Sequence, residues 1–175
     1  MFFRRRASLK RNALVPRDDY TKAMGQHFSS VCVIATKKSG KRYGLTATAV
    51  SSVCADPPRL LICVNQSGLT HKKIEKAGHF CVNVLGDQQD DVAKVFAGMT
   101  NEEGDRFSCG EWGELVTGSP ALIGASACFD CIIAEQIKQF SHTIFIANVV
   151  GVSVQVEQDS LLYGARGFRT MNKAF

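Results

Sequence analysis

The sequence predicts a mainly β domain: an antiparallel barrel, closed or split, with a few short helices at its periphery. Six or seven stretches rich in Val, Ile, Thr and Cys are separated by short turn signals. Only three segments carry helical periodicity, and each is short. Strand and helix patterns do not alternate regularly, which argues against a doubly wound parallel sheet and for an antiparallel barrel.

Taken in order, Asp18 or Asp19 can cap a first helix in which Tyr20, Ala23, Met24 and Phe28 form one apolar stripe. Val31–Thr36 reads as a β-branched strand, and residues 37–41 as a hairpin turn. Tyr43–Cys54 reads as one long second strand, stopped by Asp56-Pro57-Pro58 because proline cannot continue a ladder. Arg59–Asn65 is a third strand. Thr70 then looks like the N-cap of a helix that buries Ile74 and Ala77 and ends at Gly78. His79–Leu85 is a fourth strand. Asp87, with Asp90 at capping-box spacing, opens a helix whose Val92, Val95, Phe96 and Met99 share a face. Residues 100–124 are turn-rich and predict a long covering loop. Ala125–Gln136 and Thr143–Val156 are long strand patterns, and residues 160–170 can add an edge strand.

The chain has 175 residues, 45% hydrophobic, which is enough for one domain with a sizeable core. Residues 1–17 hold six basic side chains and no acid, a net charge of +6; the remainder holds 15 basic and 16 acidic residues, a net of −1. The expected organisation is therefore a basic extension, 1–17, and one domain, 18–175. A neutral body argues against a nucleic-acid groove, which needs Lys and Arg on the folded surface. No run reaches the roughly 18 apolar residues of a membrane span, so no membrane partner is expected. Seven cysteines, an odd number, sit mostly inside apolar runs, and a reducing cytoplasm fits them best.

No phosphate-loop, dinucleotide, zinc-protease or nucleophile-elbow motif occurs. Cys128 and Cys131 have C-x-x-C spacing, but residues three apart in a strand face opposite sides, and no second pair completes a zinc site. No metal site is expected. His27, His71, His79 and His142 show no ligand spacing. With no acid, base or nucleophile on display, an enzyme of this sequence would rely on a cofactor.

The segment Gly44-Leu45-Thr46-Ala47-Thr48-Ala49-Val50-Ser51-Ser52 alternates small residues with hydroxyls. Small side chains let a flat ring approach the backbone; an ordinary Thr-rich strand with a solvated face gives the same composition. The next segment, Cys63-Val64-Asn65-Gln66-Ser67-Gly68-Leu69-Thr70, ends a strand with polar groups and opens a helix. A helix N-terminus there suits a phosphate, though simple capping by Thr70 reads the same. A ring at one end and a phosphate at the other describe a flavin nucleotide.

On these residues the chain resembles the short-chain flavin reductases of two-component monooxygenases, of the 4-hydroxyphenylacetate 3-hydroxylase reductase type. The resemblance spans about residues 18–170. It is carried by YTKAMGQHFSSVCVIAT, GLTATAVSSVCADPPRLLICVN and FCVNVLGDQQDDVAKVFAGMT, then by DRFSCGEWGELVTGSPALIGASACFDC and SHTIFIANVVGV. It implies a flavin-binding split β-barrel with peripheral short helices, a homodimer, and reduction of FMN or FAD by NADH or NADPH. It also implies a monooxygenase component that receives the reduced flavin. Thr46, Ala47 and Thr48 would line the ring and ribityl chain. Ser51, Asn65, Ser67 and Thr70 would hold ribityl and phosphate oxygens, and Arg106 and Phe107 would cover the ring. His142 would be the catalytic residue, on the nicotinamide side. The chain departs from the family at Phe140-Ser141, where glycine is usual before the next residue and the histidine, and at Ser30, where many relatives have glycine. Trp112 is expected to pack under the covering loop.

Two other functions fit the same fold. One is a flavoprotein reductase of a corrinoid or ferric acceptor with flavin as a prosthetic group. The other is a non-enzymatic flavin- or haem-binding sensor module. The residues alone choose neither between FMN and FAD nor between NADH and NADPH.

Overall fold

The computed structural model describes residues 14–100 and 104–171. The basic extension therefore lies outside the described residues up to position 13. Arg17 is the first residue of helix α1 (Arg17–Met24).

The architecture is mainly β. Seven strands form one antiparallel sheet: β2 (Cys32–Lys38), β3 (Lys41–Ala47), β4 (Val50–Ala55), β5 (Pro58–Asn65), β6 (His79–Val84), β9 (Ala127–Gln139) and β10 (His142–Val154). Their order is β3-β2-β6-β9-β10-β5-β4. The two edge strands, β3 and β4, are consecutive in the chain and joined only by Thr48-Ala49. Three residue steps reach no further than about 11 Å, so the sheet curls until its edges nearly meet. No ladder joins them; the barrel is split along this seam. The break also corrects the expected single strand Tyr43–Cys54. The chain crosses the seam at Thr48-Ala49, where the Ala49 carbonyl accepts from Cys63 N at 3.0 Å.

Turn chemistry sets the register. Ser39 (φ 52) and Gly40 (φ 75) join β2 to β3 as a two-residue hairpin loop with both residues left-handed. Pro58 is tolerated as the first residue of β5, opposite Ala55 on the edge strand.

Alternation along the strands gives the sheet two buried faces. One carries Ile34, Ile62, Phe80, Val82, Cys131 and Phe145 and is plugged by Ile74 of helix α2 (Leu69–Ala77). The other carries Val31, Val33, Cys81 and Cys128. It is covered by Val92, Ala93, Val95 and Phe96 of helix α3 (Asp90–Ala97). Cys128 and Cys131 thus fall on opposite faces, and burial pushes the Cys131 thiol up to about 12.

The covering loop has structure of its own. It contains a short helical turn at Arg106–Ser108 and a hairpin of β7 (Trp112–Glu114) and β8 (Pro120–Leu122). Buried Asn83 ties it down: its Nδ2 donates to the Val33 and Pro120 carbonyls at 3.0 and 3.2 Å, and its Oδ1 accepts from Leu122 N at 2.7 Å. Buried Asp130 does the same at the other end, accepting from Thr117 N and Thr117 Oγ1, both at 2.6 Å. The tail forms a hairpin of β11 (Leu162–Gly164) and β12 (Gly167–Arg169), and β11 also pairs with the short β1 (Ser29–Ser30).

Helix starts differ from expectation. No residue of α1 is buried, so the stripe of Tyr20 and Met24 is solvated. Phe28 lies instead against β11, where a Cβ on Gly164 would meet its ring at 2.5 Å. The N-cap of α3 is Gln89, not Asp87; Gln89 spends its side chain on Gly86 N and the Gly124 carbonyl. Met99, expected on the buried face of α3, lies beyond its end and is exposed.

Candidate functional site

A cavity of about 400 Å³ lies at the seam of the barrel. Its long wall is Leu45–Ala49, the ribbon where β3 hands over to β4. Asn65, Ser67 and Gly68 form one end, where β5 runs into α2; Phe96 and Ala97 back it from α3; His142 stands at the start of β10. The ribbon approaches α3 closely because Gly44 has no side chain, and a Cβ there would sit 2.5 Å from Phe96 Cε1. Thr46 Oγ1 donates to the Ala93 carbonyl at 2.7 Å, which pins the ribbon to α3.

Beyond Leu45 and Gly68, which both cavities share, lies a second cavity of about 470 Å³. It is walled by Arg42, Tyr43, Leu69 and Thr70 and by the loop residues Arg106 and Phe107. The start of α2 stands between the two. Its N-cap is Gly68, no side chain caps it, and its first turn carries no acid. Its leading N–H groups, with the positive end of the helix dipole, therefore make an end that suits an anion. Asn65 shapes the approach: its Oδ1 accepts from Ser67 N and Ser67 Oγ, both at 2.9 Å.

The ten expected site residues divide three ways. Thr46, Ala47, Thr48, Asn65, Ser67 and His142 come together around the seam cavity. Thr70, Arg106 and Phe107 line the second one. Ser51 lines neither; it sits on β4 opposite Leu61, its hydroxyl 3.3 Å from the Ser52 carbonyl. The break at Thr48-Ala49 is the reason, since it carries β4 off the line of the ribbon. Thr70 is not the N-cap; its hydroxyl donates to the Gly44 carbonyl at 3.0 Å and ties α2 to β3. Phe107 is a core residue, 5% exposed, rather than a cover for the ribbon. Its ring meets Phe96 and Trp112 edge-on, each at 4.9 Å, with the Arg42 guanidinium 4.7 Å above its face. Trp112 packs under the loop as expected.

His142 opens β10, paired with Asn65 and Gln139, and its Nδ1 is 2.9 Å from Ser141 Oγ. His71, three residues into α2, is buried against Phe145, with Nε2 2.8 Å from Thr143 Oγ1. Its Nδ1 has no hydrogen-bond partner among the described residues, and burial lowers its proton affinity below that of an ordinary histidine. Among the described residues no cluster of His, Cys, Asp and Glu could hold a metal. Sequence reasoning missed Gln66 and Ser141, which frame His142, and Phe96 as a cavity wall. Phe96 was legible as a buried helix position; Gln66 and Ser141 carried no signal beyond lying in turns.

A ribbon of small residues, a rim of hydroxyl and amide groups and an open helix start suit a flat heteroaromatic ring with a phosphate tail. Fold and groove together define a nucleotide-binding split barrel. Residues 24–172 match the flavin reductase like domain, and the chain belongs to that family. It is 37% identical over 163 residues to the FMN reductase (NADH) RutF of Stutzerimonas stutzeri (strain A1501), covering 93% of each chain. Among solved structures, it is similar to the Streptomyces globisporus C-1027 NADH:FAD oxidoreductase SgcE6 in complex with NAD and FAD fragments. There the TM-score is 0.82 and the identity 27%, covering 93% of this chain and 98% of that one. It is also similar to nitrilotriacetate monooxygenase component B from Mycobacterium thermoresistibile, with a TM-score of 0.83 and 26% identity, covering 89% of this chain and 87% of that one.

Proposed function

We propose that this chain is an NADH-dependent flavin reductase that reduces FMN and releases it to a monooxygenase component. The observation that carries the reading is the seam cavity, with six of the expected residues around a small-residue ribbon that ends at an uncapped helix start. The relatives named FMN reductase (NADH) support FMN and NADH as the pair.

In this reading Thr46, Ala47 and Thr48 bed the ring, Asn65 and Ser67 hold the ribityl chain, and the first N–H groups of α2, that of Thr70 among them, take the phosphate. When bound, the flavin supplies a two-electron acceptor for hydride from the nicotinamide. The ribbon's main-chain N–H groups are the donors at hand for charge that gathers on the ring, and no side-chain base is needed. His142 orients the nicotinamide side. Asn65, Ser67 and His142 are exposed at the rim, which favours a flavin that comes and goes over one held as a prosthetic group.

A homodimer and a reducing cytoplasm belong to the same reading. Val152 and Val154, each 64% exposed on β10, support an interface between copies; a solution mass of one 19.1 kDa chain would count against it. The four buried cysteines, Cys32, Cys81, Cys128 and Cys131, support the compartment. No helix among the described residues is long and apolar enough to cross a membrane.

Purified protein given NADH and free FMN is expected to oxidise NADH in many turnovers, faster than with FAD or with NADPH. Absence of NADH oxidation with either flavin would remove the proposal. A yellow protein that survives extensive dialysis would favour a bound prosthetic group instead.

A further inference from the structure

His142 opens β10 beside the hairpin turn Phe140-Ser141, paired with Gln139 of β9 and Asn65 of β5. Phe140, at the turn, has φ 48 and a fully exposed ring, and His142 itself is exposed. A bulky residue in the left-handed region stores strain and persists only where its surroundings hold it. Beyond the strand ladders, the turn is held from the corner between β5 and α2, through Gln66. Its main-chain N–H donates to the Ser141 carbonyl at 2.9 Å, and its Nε2 donates to the His142 carbonyl at 2.8 Å. One residue thus grips the consecutive carbonyls of Ser141 and His142. On the near side, Ser141 Oγ is 2.9 Å from His142 Nδ1, a contact that constrains the ring, and His142 lines the cavity. The same corner carries Asn65, Ser67 and Gly68, the end of the cavity next to the start of α2.

We propose that Gln66 is a positioning residue for the nicotinamide dinucleotide, holding His142 at the seam cavity by the hydrogen bond from Nε2 to its carbonyl, with Ser141 orienting the imidazole. The inference rests on the flavin reductase reading and goes beyond it, by naming what keeps the nicotinamide side in register with the phosphate side. Gln66 touches neither substrate in this arrangement and acts through His142. Its loss therefore weakens NADH use and spares flavin binding.

The test is steady-state NADH oxidation with saturating FMN, beside flavin affinity from fluorescence quenching. It compares wild type, Gln66→Met, Gln66→Lys, Ser141→Ala, His142→Ala and the double variant Gln66→Met with His142→Ala. Methionine keeps the volume of glutamine and removes the donor; lysine keeps a donor. Gln66→Met is expected to raise KM for NADH about five- to tenfold, with kcat changed less and FMN affinity within about twofold of wild type. Ser141→Ala should move in the same direction, and Gln66→Lys should recover most of the loss. The double variant should be no worse than His142→Ala alone, because two residues acting through one group are not additive. A Gln66→Met enzyme with the wild-type KM overturns the inference, as does an effect that adds fully to His142→Ala or falls equally on flavin. Those outcomes leave the reductase reading standing. A wild-type protein that oxidises no NADH with any flavin removes both.

Discussion

Ala47→Trp is expected to weaken FMN binding by about a hundredfold or more, some 2.7 kcal/mol, and to abolish NADH oxidation, with the fold retained. Ala47 ends β3 on the ribbon and borders two spaces. One is the seam cavity of about 400 Å³; the other is a smaller apolar cleft of about 220 Å³ against Val31, Tyr163 and Phe168. An indole is flat and comparable in width to the ring proposed for that cavity. The larger space takes it at less steric cost, and there it occupies the bed. Ala47 is on an edge strand and only partly buried, though packed against the cluster of Cys32, Ile34 and Ile62; overpacking there costs about 1–3 kcal/mol, less than unfolds a domain of ordinary stability. Fluorescence titration with FMN, beside a thermal melt, measures both effects. FMN affinity within about threefold of wild type would mean that the ring does not lie on this ribbon.

The second large effect concerns stability. Phe96→Ala is expected to cost about 3–5 kcal/mol, the range for a buried aromatic truncation, and to lower Tm by roughly 10 °C or more. Phe96 is 2% exposed and stands between the ribbon and the covering loop. Its ring meets Phe107 at 4.9 Å and Trp112 at 5.4 Å, and the Gly44 backbone packs directly on it. Truncation leaves a void that neither the paired strand β3 nor the anchored loop can close. The same void loosens the wall behind the seam cavity, so FMN affinity should fall as well. Chemical denaturation of wild type and variant measures the loss; less than about 1 kcal/mol would show that the three rings are not a packed unit.

Much of the fold was legible because β-branched runs and turn residues are local signals. Arg59–Asn65 and all of Val31–Thr36 but Val31, which falls in the gap before β2, lie within observed strands, and Ser39-Gly40 supplies the turn its residues suggest. The break at Thr48-Ala49 was hidden because Thr and Ala carry no turn signal; the crossing is imposed by the curl of the whole sheet. Caps failed for a related reason. Thr70 and Asp87 have suitable side chains, but the Thr70 hydroxyl is spent on the Gly44 carbonyl 26 residues away. The stripe on α1 has regular spacing and yet finds no partner surface among the described residues. For the site, composition located the ribbon and the start of α2, since small residues and polar turn residues are what such a bed requires. It could not show that Ser51 is carried away on β4, or that Phe107 turns inward to meet Phe96. Gln66 was illegible because its role is to reach a hairpin 76 residues further along the chain.

The central claim is a place: the ring on Leu45–Ala49 and the phosphate at the first turn of α2. A crystal structure of the protein with FMN tests it most directly. The expected result is the isoalloxazine against Thr46–Thr48, with phosphate oxygens within hydrogen-bonding distance of the Leu69 or Thr70 main-chain N–H. Flavin bound elsewhere, with the ribbon bare and the helix start facing solvent, would contradict the account.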